Sequence, residues 1–149
     1  MVQLSAKVLL FGYGNPGRGD DALGSEFINY IETKKFEGVE CICDMQLQIE
    51  DVTELVGREK IIFIDADISC KAPFQYSQIS ACKDSSYTSH AMTPEALLYA
   101  YKKTYGKEAP PAYLLRIRGY QFELGEPLSK KAEINFGKVR DWFYEPSQF

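Results

Sequence analysis

A single histidine and four cysteines are all that this chain of 149 residues carries of the side chains that most often hold metals or disulfides. The cysteines form no CxxC pair: Cys41 and Cys43 stand two apart, on one face of any strand, while Cys70 and Cys82 stand alone. That spacing argues against a disulfide framework or a zinc site and leaves buried free thiols as the reading. Clustered positive charge is missing too. The 17 basic residues are scattered among 21 acidic ones, for a formal net charge of −4. Phosphate binding needs concentrated Lys and Arg, so no nucleic-acid partner is expected. Long apolar runs are also absent. Val8 to Phe11 is far shorter than an export segment, and no stretch approaches the roughly 20 apolar residues that span a bilayer. The expectation is a soluble, cytoplasmic monomer with no membrane partner. Neither a repeat, a low-complexity tract nor a linker divides the chain, and its length suits one domain, 1–149.

What is present reads as alternating strands and helices. Lys7 to Phe11 and Lys60 to Asp65 are continuously apolar up to their ends, as fully buried strands are. Val39 to Met45 and Tyr113 to Arg118 complete the core strands, and the weakly alternating Phe74 to Ser80 reads as an edge or antiparallel strand. Leu23, Phe27 and Ile31 recur at helical spacing behind Asp20 and Asp21, which stand near the N-cap. Ile49, Val52, Leu55 and Val56 suggest a short amphipathic helix ending at Gly57. Thr93-Pro94-Glu95 is a strong helix start, with a hydroxyl cap, proline in the first turn and an acid facing the positive end of the dipole. Its buried stripe would be Leu97, Leu98, Tyr101 and Tyr105; a last helix should follow Ser129, with Ala132, Phe136, Val139 and Phe143 inward. This alternation predicts an α/β fold: a three-layer α/β/α sandwich around a twisted, mostly parallel five-stranded sheet. In that architecture function collects beyond the carboxyl ends of the strands.

Three features fall there: the loop Gly12 to Gly24, Asp65 at the end of its strand, and His90 between Ser89 and Ala91. Each has an ordinary alternative. Asp20 and Asp21 could simply serve a helix start, Asp65 could terminate a strand, and a lone histidine is more often a surface or packing residue. Together, two carboxylates and an imidazole on one sheet edge suit a borderline divalent metal such as nickel or zinc with open coordination positions. Gly12, Gly14 and Gly17 would permit unusual backbone angles and a close approach of substrate. Arg18 either contacts substrate or pairs with a neighbouring acid. The spacing Gly12-x-Gly14-x-x-Gly17, with Asp44 ending the next strand, also matches a dinucleotide fingerprint. Pro16 interrupts it, however, and Asp20 and Asp21 would repel a pyrophosphate at the helix start.

The loop Gly12-Tyr13-Gly14-Asn15-Pro16-Gly17-Arg18-Gly19-Asp20-Asp21-Ala22-Leu23-Gly24 resembles the signature of hydrogenase maturation endopeptidases. So do Ile61 to Ala66, Ser89-His90 with Thr93-Pro94, and Gly119 to Glu126, in that order over nearly the whole chain. The resemblance implies an enzyme that cuts a C-terminal extension from the precursor of a nickel–iron hydrogenase large subunit once nickel is inserted. It implies Asp21, Asp65 and His90 as both the metal-contacting and the catalytic residues. Nickel would come with the substrate, another divalent ion replacing it in vitro. One departure stands out. Many members carry Asp-Gly-Gly after the second strand, where this chain has Asp44-Met45-Gln46-Leu47-Gln48, which leaves the choice of hydrogenase open. Two other readings are carried forward. Peptidyl-tRNA hydrolases share a Gly-Asn-Pro-Gly turn, but place a histidine where this chain has Asp20-Asp21. A non-catalytic metal- or nucleotide-binding module of the same fold is the other.

Overall fold

The computed structural model describes residues 6–83 and 92–143. Five strands form one sheet: β1 (Val8–Tyr13), β2 (Val39–Asp44), β3 (Lys60–Asp67), β4 (Phe74–Ile79) and β5 (Ala112–Arg118). Their order is β2-β1-β3-β5-β4, with parallel pairing throughout except for the antiparallel β4–β5 edge. The helices α1 (Leu23–Lys34), α2 (Pro94–Tyr105) and α3 (Lys130–Trp142) cover its two faces. The predicted fold class and the antiparallel edge both match.

Two apolar cores lie on opposite sides of the sheet, as the uninterrupted runs in β1 and β3 require. Leu10, Ile62 and Leu115 meet Phe27 and Ile31 of α1 and Val139 of α3 on one side. Leu9, Phe11 and Phe63 meet Leu97 and Tyr101 of α2 and Leu55 on the other. Phe27 closes edge-to-face on Phe143 at 5.0 Å, fixing α1 against the end of α3. Burying each such side chain stabilises the fold by about 1.5–3 kcal/mol. The helix starts behave as their chemistry dictates. Thr93 and Ser129 each accept a bond from the backbone N–H three residues on, at 3.1 and 3.2 Å. Gly106, at φ +69°, ends α2 in the left-handed region.

Several details differ from expectation. β3 does not stop at Asp65; Asp65, Ala66 and Asp67 still pair with Arg116, Ile117 and Arg118, so the partner strand carries it two residues further. The segment Ile49–Leu55 is a 3-10 helix that buries Val52 and Leu55 while Ile49 and Val56 remain exposed. Val56 follows the helix as its C-cap in extended backbone, at ψ 131°, and so leaves its inner face. Tyr105, in the last turn of α2, is 38% exposed rather than part of the buried stripe. Only Cys70 is a buried thiol; Cys41 is half-buried, and Cys43 and Cys82 are exposed. Cys43 lies near the carboxyl end of β2, an edge strand whose last two residues are exposed. Among the described residues no helix is long and apolar enough to cross a membrane.

Candidate active site

The carboxyl ends of β1 and β3 open into a cleft because the chain cannot continue straight after Tyr13. Gly14 adopts φ +139°, where a side chain is strained, and a Cβ there would collide with the backbone oxygen of Asp21. Of the three fingerprint glycines only this one needs an unusual φ. Gly12 serves a different purpose. A Cβ at Gly12 would lie 2.5 Å from Ile28 and 2.7 Å from the Gly24 oxygen, so its bareness lets α1 press against the sheet. Gly17 has an ordinary φ, and a Cβ there would press only on the Asn15 side-chain oxygen, at 3.3 Å.

Past Gly14 the loop is organised by its own side chains. Asn15 accepts a bond from the Gly17 N–H at 2.8 Å, and its own N–H donates to Asp21 Oδ2 at 2.8 Å. That bond sets the Asp21 carboxylate at the cleft. The two neighbouring acids have separate tasks, and neither caps α1 with its side chain. Residues 19–22 form a 3-10 turn ahead of the helix instead. Asp20 is fully buried and accepts four bonds from the far end of the chain. They come from Tyr120 N at 2.7 Å, Gln121 N at 3.0 Å, Ser129 N at 2.7 Å and Ser129 Oγ at 2.7 Å. Burial alone would raise this carboxyl, but those donors outweigh it and hold it below its ordinary value. Asp20 is therefore a clamp joining the opening loop to residues 119–129. Arg18 joins in, donating from Nε to the Phe122 carbonyl at 3.2 Å. Of the two alternatives for Arg18, an acid partner is not what occupies its Nε.

Asp65 is reached from β3. Gly12 pairs with Ile64 across the sheet, so Tyr13 leaves β1 beside Asp65, on the same face. The Tyr13 phenol lies beside the Asp65 carboxyl and favours its ionised form. The Asp65 carboxyl is pushed up to about 7, first by burial and then by the nearby charge of Asp21; bonds from the Ala66 N–H and Tyr13 pull the other way. Tyr13 itself is raised well above its ordinary value by burial and by the charge of Asp65, so it stays a protonated donor. A carboxyl titrating near neutrality can both take and give a proton at working pH.

The cleft measures about 860 Å³, and Tyr13, Asn15, Arg18, Asp21, Asp44 and Asp65 are among its walls. A second hollow of about 430 Å³ continues it past Asp65, Ala66 and Phe122 to Ile68. Three carboxylates against one guanidinium make the cleft acidic. Asp21 and Asp65 thus line one cleft, and a cation between them would relieve the part of the rise in Asp65 that comes from Asp21. Among the described residues no third His, Cys, Asp or Glu joins them as a ready ligand set. His90 lies outside the described residues. Sequence reasoning missed Tyr13, Asp20 as a clamp, and Phe122 as a wall. The available signal was a phenol at the end of an otherwise apolar strand.

No protein-family model matches the chain, and no curated protein matches it. Solved structures do. The [NiFe] hydrogenase maturation protease HycI from Thermococcus kodakarensis KOD1 is 16% identical, with a TM-score of 0.69 over 92% of this chain and 89% of that one. The hydrogenase maturating endopeptidase HybD from E. coli is 19% identical, with a TM-score of 0.71 over 91% and 88%. The hydrogenase 2 maturation peptidase from Thaumarchaeota archaeon SCGC_AB-539-E09 is also 19% identical, with a TM-score of 0.65 over 91% and 94%. The chain has the fold of these proteins across nearly its whole length.

Proposed function

We propose that this chain is an endopeptidase that removes the C-terminal extension of a hydrogenase large-subunit precursor already loaded with nickel. The observation that carries the reading is the meeting of Asp21 and Asp65 in one acidic cleft, with the Asp65 carboxyl pushed up to about 7. The shared fold supports it over nearly the full chain, and so does the collinear resemblance of the sequence segments.

In this reading the metal belongs to the substrate. Nickel held by the precursor takes Asp21, Asp65 and His90 as additional ligands, and so docks the scissile peptide beside the two carboxylates. A precursor without nickel lacks that anchor, which makes the cut conditional on metal insertion. The substrate ion polarises the peptide carbonyl or a bound water. One of the two carboxylates takes the proton from the attacking water. Asp21 is held in place by the Asn15 N–H. His90 ligates only when neutral, so docking weakens below about pH 6. The test is precursor processing followed by gel mobility. Asp65→Asn and His90→Ala should each leave the precursor uncut, and undiminished cleavage by either would refute the assignment of that residue.

A further inference from the structure

The acid pair does not stand alone on its face of the sheet. Tyr13 lies opposite Asp44 in the β1–β2 register and leaves β1 beside Asp65, so a phenol is flanked by carboxylates from both neighbouring strands. It is 8% exposed, yet it lines the cleft with Asp21 and Asp65. Its ring packs in the core formed by Leu9, Phe11 and Phe63, which leaves the hydroxyl as its one polar group. That hydroxyl lies beside the Asp65 carboxyl in the same cleft and favours its ionised form. A phenylalanine would fill the same apolar space, so packing does not account for the oxygen.

We infer that Tyr13 is the positioning residue of this site: its phenol holds the Asp65 carboxylate in one orientation, so that a fixed oxygen faces the cleft. The inference rests on the proposed protease reading, in which Asp65 works as a ligand. A carboxylate on a short side chain has a broad terminal torsion and rotates unless something holds it. A rigid donor from the adjacent strand, fixed by its own packing, removes that freedom at no cost when substrate arrives. Partners of this kind typically govern metal affinity and activity about 10- to 100-fold when lost.

The test compares the full-length wild type with Tyr13→Phe, Asp65→Asn and the double variant. Two measurements are taken: titration with Ni²⁺ alone by calorimetry, and cleavage of nickel-loaded precursor. Tyr13→Phe keeps the ring and should melt within a few degrees of wild type. It should weaken Ni²⁺ binding about tenfold and lower kcat by a similar factor, with KM for the precursor unchanged. Added to Asp65→Asn, it should cost nothing more in Ni²⁺ affinity, since its effect passes through that carboxylate. A purely structural tyrosine would instead lower the melting temperature and act additively. If wild type cleaves and Tyr13→Phe matches it within twofold in both measurements, the positioning role is refuted and the protease reading stands. If wild type cleaves no nickel-loaded precursor, the protease reading is refuted and takes this inference with it.

Discussion

Replacing Asp65 with asparagine should make the folded protein more stable while disabling its site, and the size of the gain should depend on pH in a defined way. In the fold the Asp65 carboxyl is pushed up from 3.8 to about 7, so the ionised form is the disfavoured one. The sign follows from linkage. Below pH about 4 the group is protonated whether folded or not, and it costs nothing. Between pH 4 and 7 the unfolded chain ionises while the folded one resists, and stability falls as pH rises. Above 7 the penalty is complete. At about 1.4 kcal/mol per pH unit the rise corresponds to at most about 4 kcal/mol. Asparagine is nearly the same size and cannot ionise. Urea unfolding of both proteins at a series of pH values from 4 to 8 measures the difference directly. The variant should gain up to about 4 kcal/mol at pH 8 and almost nothing at pH 4, which near pH 8 means up to about 10 °C in melting temperature. A difference that does not change with pH, or a wild type that is the more stable at pH 8, would refute the assignment of burial and Asp21 as the causes.

Asp20→Ala should behave in the opposite sense. It strands the Tyr120, Gln121 and Ser129 donors and should cost about 3 kcal/mol or more at pH 7. The Asp20 carboxyl is held low, so its contribution is present above the unfolded value near 4 and is lost as pH falls through the folded one. The gap from wild type should therefore narrow in acid, as read by denaturant unfolding. Gly14→Ala forces a side chain into a left-handed region and against the Asp21 carbonyl. It should destabilise by about 2 kcal/mol or more and displace Asp21, lowering cleavage more than melting temperature suggests. Ser129→Ala removes both the α3 cap and one Asp20 donor. Thermal melting should show a loss of about 1–2 kcal/mol, smaller than for Asp20→Ala.

The parts legible in the sequence were those set by local chemistry or by periodicity. Continuous apolar runs marked β1 and β3, Thr93-Pro94-Glu95 marked α2, and the weak alternation of Phe74 to Ser80 marked an edge or antiparallel strand; β4 is both. The convergence of Asp21 and Asp65 followed from the rule that sites gather at strand ends, and the cleft bears it out. What escaped depends on partners distant in sequence. The end of β3 was set by β5, not by its own residues. Asp20 and Asp21 look interchangeable in the chain. Only Asn15 on one side and the 119–129 loop on the other give one to the cleft and the other to the interior. Tyr13 belonged by pattern to a turn, and its partner became visible only once β1 and β3 were in register.

The bonds to Asp20 span 100 to 109 residues of sequence. During synthesis, then, the residue beside Asp21 must wait for Ser129 to emerge before its carboxylate has its full set of donors. Closing so wide a span comes late in assembly, because the chain gives up that freedom before the contact repays it. A nascent chain in which β1, β2 and β3 have already paired still has an untethered opening loop. The acidic edge of the sheet is thus completed only once Ser129 has been made, so its opening loop is the last part of that edge to be fixed.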